Sequence, residues 1–444
     1  MTGRQGARPP EETTTPPTAV GGQVSERAVV SLIGAVQFIN ILDFMMVMPL
    51  GPDFAASLGI PVSNLGFIGG AYTLAAAVSG LAGSFFLDRF DRRSALALAM
   101  LGLVLGTAAG GFATGMATLM AARILAGAFG GPATSISLSI IADVIPPERR
   151  GKAMGAVMGA FAVASVLGVP LGLELAARGG WRLPFFAVAG LGLLINAGAL
   201  LLLPPMRGHL ANRSEPPRLA QLLSRGDVLL SYGMTWVAMM AGFILIPNLS
   251  AFVQFNLGYP RARLGLLYLS GGIASFATMR GVGRIVDRVG STRVAAVATV
   301  VLSVVIYFGF AHPTPVVPIV VFFVAFMVAM SSRNVAYNTL TSKVPGSGER
   351  ARFMSIQSAV QHLASAIGAF LAARMLTERP DGSLEGMTRV ALVSIALMLA
   401  VPVMMALVEA RVRRRSLGYD ATAQPQDPQS GIGPSGPGIP RARP

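Results

Sequence analysis

The 444-residue chain has no cysteine, only 12% charged residues, three histidines and two tryptophans. Without cysteine there is no disulfide, no thiolate metal site and no cysteine nucleophile, and the redox compartment leaves no trace. His209, His312 and His362 lie too far apart in sequence to suggest a metal cluster. No nucleophile–base pair stands out either, so neither a cofactor nor an enzyme is expected. The shortage of charge excludes most, because an ordinary soluble domain carries about a quarter charged residues. A chain that is 53% hydrophobic cannot hide its apolar surface from water.

Long hydrophobic runs take the place of what is missing. About 20 apolar residues cross a bilayer as a helix, and twelve such segments can be marked between residues 29 and 409. The expected class is therefore an all-α membrane protein with twelve transmembrane helices and the lipid bilayer as its surroundings. The first segment has no small-residue cleavage pattern and is expected to be a retained helix. A net charge of +15 raises the question of nucleic acid, but a nucleic-acid binder gathers its charge on one face or tail. Here the charge is spread over loops, and no nucleic-acid partner is expected. Placing both termini in the cytoplasm puts most of the Lys and Arg on the cytoplasmic side, as positive-inside loops require. A multi-pass protein of the plasma membrane, in a bacterium the inner membrane, follows.

The polar segments divide the chain further. Residues 1–27 and 411–444 read as disordered cytoplasmic tails, 28–204 as a first six-helix bundle, 205–226 as a Pro-containing cytoplasmic linker, and 227–410 as a second six-helix bundle. Ser84-Phe-Phe-Leu-Asp88-Arg89-Phe90-Asp91-Arg92-Arg93 has an echo in Gly283-Arg-Ile-Val-Asp287-Arg288-Val-Gly290, and the two halves overlay at an offset of roughly 200 residues, as parallel transporter repeats do. These residues resemble the major facilitator superfamily, within it the twelve-helix drug/proton antiporters and arabinose-efflux-like permeases. Asp88, Arg89, Arg92 and Arg93 match the family loop, while Ser84 and Asp91 stand where glycines are usual. The resemblance implies the major facilitator fold, two pseudo-symmetric six-helix bundles working by alternating access. It also implies transport of a small-molecule substrate, export in exchange for protons, by a monomer. Proton-linked or facilitated uptake of a sugar or metabolite is the alternative within the class, and a non-transporting receptor or lipid-handling protein the alternative outside it.

Asp43 is the most informative single residue, because an intramembrane acid costs roughly 2.5 to 3.5 kcal/mol on insertion scales and needs a partner or a function. Arg123, on the antiparallel fourth span, lies at the same depth, about 10 Å below the outer boundary at 1.5 Å per residue, and can face it. The family places a functional Arg at the position of Arg123, so the resemblance implies proton coupling by Asp43 with Arg123; a static ion pair is the bland alternative. A cytoplasmic gate is expected from Asp88, Arg89, Arg92, Arg93, Asp143, Asp287 and Arg288, with an Arg fork able to clamp Asp143; simple positive-inside anchoring is its alternative. Polar arcs at 100° per residue place Gln37 and Asn40 with Asp43, group Arg333, Asn334, Tyr337 and Asn338 on the tenth span, and put Gln361 and His362 on the eleventh. These are the expected substrate cavity, with interhelical hydrogen bonding as the alternative. In the fifth span Gly159, Gly168, Pro170 and Gly172 are expected at the bundle interface, where the antiporter pattern has its Pro displaced by one residue.

Overall fold

A computed structural model describes residues 25–207, 222–313, 317–346 and 349–422, apart from the side chains of 84–86, 88, 147–148, 158, 351 and 416–422. Eleven helices in it are long and apolar enough to cross a membrane. They are Glu26–Val47, Val62–Gly83, Arg92–Gly111, Met116–Val144, Arg149–Gly179, Arg182–Leu202, Gly226–Asn256, Ser291–Ala311, Ile319–Thr341, Arg352–Met375 and Met387–Arg415. A twelfth, Leu264–Val289, is eighth in chain order and long enough at 26 residues. Its Ser and Gly residues and Arg280 make it less apolar, consistent with its packing on protein rather than lipid along one side. The spans are numbered in this order below.

Packing repeats between the halves. In the first half the second and third spans pack on the fourth, the fifth and sixth on the first, and the third on the sixth. In the second half the eighth and ninth pack on the tenth, the eleventh and twelfth on the seventh, and the ninth on the twelfth. The main contacts between halves, second on eleventh and fifth on eighth, exchange under the same pairing. A two-fold axis along the membrane normal produces this pattern.

Glycine sets the tightest approaches. A Cβ at Gly127 or Gly131 of the fourth span would lie 2.2 Å from the Tyr72 carbonyl oxygen or 2.5 Å from that of Ala76 on the second. Small residues at such helical spacing let backbones meet. Pro170 cannot donate a backbone hydrogen bond, and the fifth span widens into a π turn at Ala164–Gly168 just before it.

The twelfth span corrects the expected tail boundary. Its helix runs Met387–Thr422, so the chain past 410 begins helical. Arg411 donates to the Gly226 carbonyl at 2.6 Å and Arg415 to that of Val344 at 3.4 Å, holding the helix end against its own half. The rest of the two expected tails, 1–24 and 423–444, and 208–221 of the linker lie outside the described residues.

Candidate functional site

In the core of the first half, Arg123 holds Asp43 through two hydrogen bonds, Nη1 to Oδ1 at 2.9 Å and Nη2 to Oδ2 at 2.7 Å. Both side chains are sealed, at 1% and 0% exposure. Geometry of this kind is what a buried ion pair needs to offset desolvation. Three residues that no sequence pattern singled out complete the arrangement. Thr107 of the third span sits 2.7 Å from Asp43 Oδ1 and 2.8 Å from the Leu103 carbonyl. Tyr72 of the second span lies under the Arg123 guanidinium, 4.6 Å from ring centroid to Cζ. Its hydroxyl donates to Asn40 Oδ1 at 2.8 Å, and Asn40 Nδ2 in turn donates to the Gly130 carbonyl at 2.8 Å and to Thr134 Oγ1 at 2.7 Å. Thr134 reaches Gln37 Oε1 at 3.4 Å. Asp43, Asn40 and Gln37, one arc of the first span, thus belong to one continuous polar chain.

The second half is built differently. Arg333 of the tenth span is 1% exposed, its Nε and Nη1 have no hydrogen-bond partner, and Nη2 reaches only Asn334 Oδ1 at 3.4 Å. Tyr337 is held by Thr235 of the seventh span and Gln357 of the eleventh, each at 2.8 Å. Asn338 is exposed, while Gln361 and His362 are half-buried; His362 Nδ1 lies 2.8 Å from the Ser358 carbonyl of its own helix. Gln357 was missed in the sequence because it falls outside the eleventh-span arc.

On the face carrying the basic loops, several polar links among the described residues lie within one half. Arg92 Nε meets Asp143 Oδ2 at 3.1 Å, Arg93 donates to the Leu200 carbonyl, and Arg225 pairs with Asp227 and Glu349. Arg89, Asp287 and Arg288 are exposed and show no ion pair among the described residues; the Asp88 side chain lies outside them. Asp91, where a glycine is usual, caps the third span, accepting from the amides of Arg93 at 2.9 Å and Ser94 at 3.3 Å. Burial works to raise its carboxyl, but these amides and the Arg207 guanidinium outweigh it and hold it below the usual carboxylate range. A depressed folded-state value means the stabilisation is complete above the unfolded value of about 3.9 and is lost as pH falls through the folded value. Asp91→Ala is expected to cost about 1 kcal/mol near pH 7. Thermal melts should show the gap from wild type closing as pH drops below about 4.

Links between the halves gather at the opposite face. Arg261 forks onto Asp53, with Nε to Oδ1 at 2.7 Å; Ser250 donates to the Pro49 carbonyl at 2.9 Å; and the Val62 amide, at the start of the second span, donates to Glu378. Gly66 and Gly70 of the second span pack on Ala369, Ala366 and Phe370 of the eleventh. The structure is therefore closed at this face.

The expected interface role of the fifth span needs correction. Gly168 and Gly172 face Leu42 and Met46 of the first span, inside their own half, and a Cβ on Gly159 would meet only its own helix. Pro170 does reach the other half, its carbonyl 3.8 Å from where a Gly265 Cβ would stand. The glycines that permit this contact come from the eighth span, where Gly272 packs on the Ser165 carbonyl and Val166. Gly168 closes the π turn and Gly172 lies beyond it, so their angular offset from Gly159 differs from that in an unbroken helix.

Two matched six-helix halves related by an axis along the membrane normal are the architecture of a membrane transporter rather than of an enzyme. The chain belongs to the Major Facilitator Superfamily, whose profile matches residues 33–369. No curated protein sequence matches it. Among solved structures it is similar to a D-xylose–proton symporter at 17% identity, covering 85% of this chain and 96% of the other with a TM-score of 0.67. A bacterial homologue of the human lysosomal transporter Spinster, in an inward-facing and occupied conformation, aligns at 16% identity over 89% and 98% of the chains with a TM-score of 0.65. The human organic anion transporter MFSD10 aligns at 20% identity over 86% and 100%, with a TM-score of 0.59.

Proposed function

We propose that the protein is a proton-coupled exporter of a small organic molecule. It would reside in a bacterial inner membrane as a monomer, with both termini and the basic loops in the cytoplasm. The observation that carries this reading is the sealed Asp43–Arg123 pair. An acid and an Arg that a helix movement can separate form a switch able to take up and release a proton. The loops at Asp88–Arg93 and at Asp287–Arg288 would close the basic face when the opposite face opens, and Gln37, Asn40, Arg333, Asn334, Tyr337, Asn338, Gln361 and His362 would border the substrate path. Coupling then requires proton and substrate to favour different states.

The test is flux in liposomes reconstituted with the purified protein, across a panel of cationic, neutral and anionic labelled solutes and an imposed pH gradient. Solute moving against the proton flow supports export. Solute moving with it makes the protein an uptake symporter built on the same pair. Flux that ignores the gradient removes proton coupling, and no saturable exchange for any solute would leave a receptor as the better reading.

A further inference from the structure

We propose that Arg333 is the anion-recognition group for the transported molecule, and that the substrate carries a carboxylate or a comparable singly charged oxyanion. This rests on the transporter reading above and names its substrate class.

The two halves treat their buried arginine differently. In the first half an acid on the first span neutralises an Arg on the fourth. At the repeat offset the counterpart of Asp43 is Ala241 or Gly242 on the seventh span, so the second half has no acid there. Arg333 nevertheless directs its guanidinium to this place. Its Nη2 lies 4.0 Å from where a Cβ on Gly242 would stand. The first and fourth spans pack closely, whereas the seventh and tenth, their counterparts, are not among the closely packed pairs.

Nothing within the second half neutralises the charge among the described residues. Asp227 and Glu349 are taken by Arg225, Glu378 by the Val62 amide, Glu385 by Arg379, Asp381 by Ser383 and Glu409 by Thr292. Asp287 is exposed near the end of the eighth span. All lie at span ends or in loops. An unpaired cation sealed at membrane depth is costly and marks a ligand path unless it has a partner. Arg offers five donors in a fixed fork suited to bidentate carboxylate recognition, and here two of its three nitrogens are free. Asn334 and Tyr337 flank it on the same helical arc. A carboxylate entering between the seventh and tenth spans would restore the pairing that the first half has built in.

The test uses the purified full-length protein in detergent at a single pH, where no gradient exists, so a failure of proton coupling leaves it untouched. Binding of benzoate, hexanoate and 4-phenylbutyrate is measured beside benzamide, hexanamide and benzylamine. At least one carboxylate is expected to bind saturably and at least tenfold more tightly than its amide. Arg333→Gln should lose that preference, raising the carboxylate Kd at least tenfold, and Arg333→Lys should keep part of it. Gly242→Asp is the decisive variant, because Met330 is a flexible neighbour that can yield there. A carboxylate built in beside Arg333 should raise the melting temperature and abolish anion binding together, which a merely structural arginine would not do. No carboxylate binding above its amide, or a preference that survives both Arg333→Gln and Gly242→Asp, overturns the assignment.

Discussion

Asp43→Asn is expected to abolish accumulation against a gradient while saturable downhill exchange persists. The substitution keeps the shape of the side chain but removes the acid bonded to Arg123. Stability should fall as well, because breaking a buried pair leaves an uncompensated charge, a loss of about 3 to 5 kcal/mol. Arg123→Gln added to Asp43→Asn should recover most of that loss without recovering uphill transport, and this separates the energetic role of the pair from its role in coupling. Thr107 gives the site a way to hold either protonation state. Its single hydroxyl proton has two acceptors within reach, Asp43 Oδ1 and the Leu103 carbonyl. It can donate to the ionised acid, or turn to Leu103 and accept from the protonated one. Thermal melts and ΔpH-driven flux on the two variants check the prediction. Uphill transport surviving in Asp43→Asn would reduce the pair to a structural clamp.

The pairing itself was legible because few residue types are expensive enough in a membrane to announce themselves. An acid and an arginine at equal depth on antiparallel spans leave little else to pair with. Tyr72 and Thr107 were not legible, since a hydroxyl on a glycine-rich helix, as with Thr73 and Ser79 beside Tyr72, usually satisfies itself locally. The fifth-span glycines were misplaced for a related reason: small residues say that something comes close, not what. Gly168, the last residue of the π turn, and Gly172 beyond it receive the first span, a choice of partner that spacing alone does not make. The cross-half closure depends on partners far apart in sequence, Asp53 with Arg261 and Val62 with Glu378, and no local periodicity connects them. The twelve-helix repeat was readable because helix length and charge placement are imposed by the bilayer rather than by neighbours.

Gly66→Leu is expected to trap the protein with this closed face open. A Cβ at Gly66 would stand 2.3 Å from the Ala369 carbonyl oxygen and 3.1 Å from Ala373 Cβ on the eleventh span. The first obstacle is backbone, which cannot swing aside as a flexible side-chain tip can. Because the collision lies between halves, each bundle can keep its own packing while the contact opens. Overpacking typically costs about 1 to 3 kcal/mol, and two transporter states differ by only a few kcal/mol, so the penalty is large enough to reverse their order. The absence of cysteine makes the reversal directly readable. Ser250 is 1% exposed and seals against the Pro49 carbonyl, so Ser250→Cys should resist an impermeant maleimide applied from the Asp53–Arg261 face. With Gly66→Leu added, labelling should rise at least about tenfold, the ratio that roughly 1.4 kcal/mol supplies. Gly34→Leu, where nothing lies within 4 Å, should leave labelling unchanged. Equal labelling with and without Gly66→Leu would mean that the second and eleventh spans ride together through the cycle and that closure is controlled by the fifth–eighth contact instead.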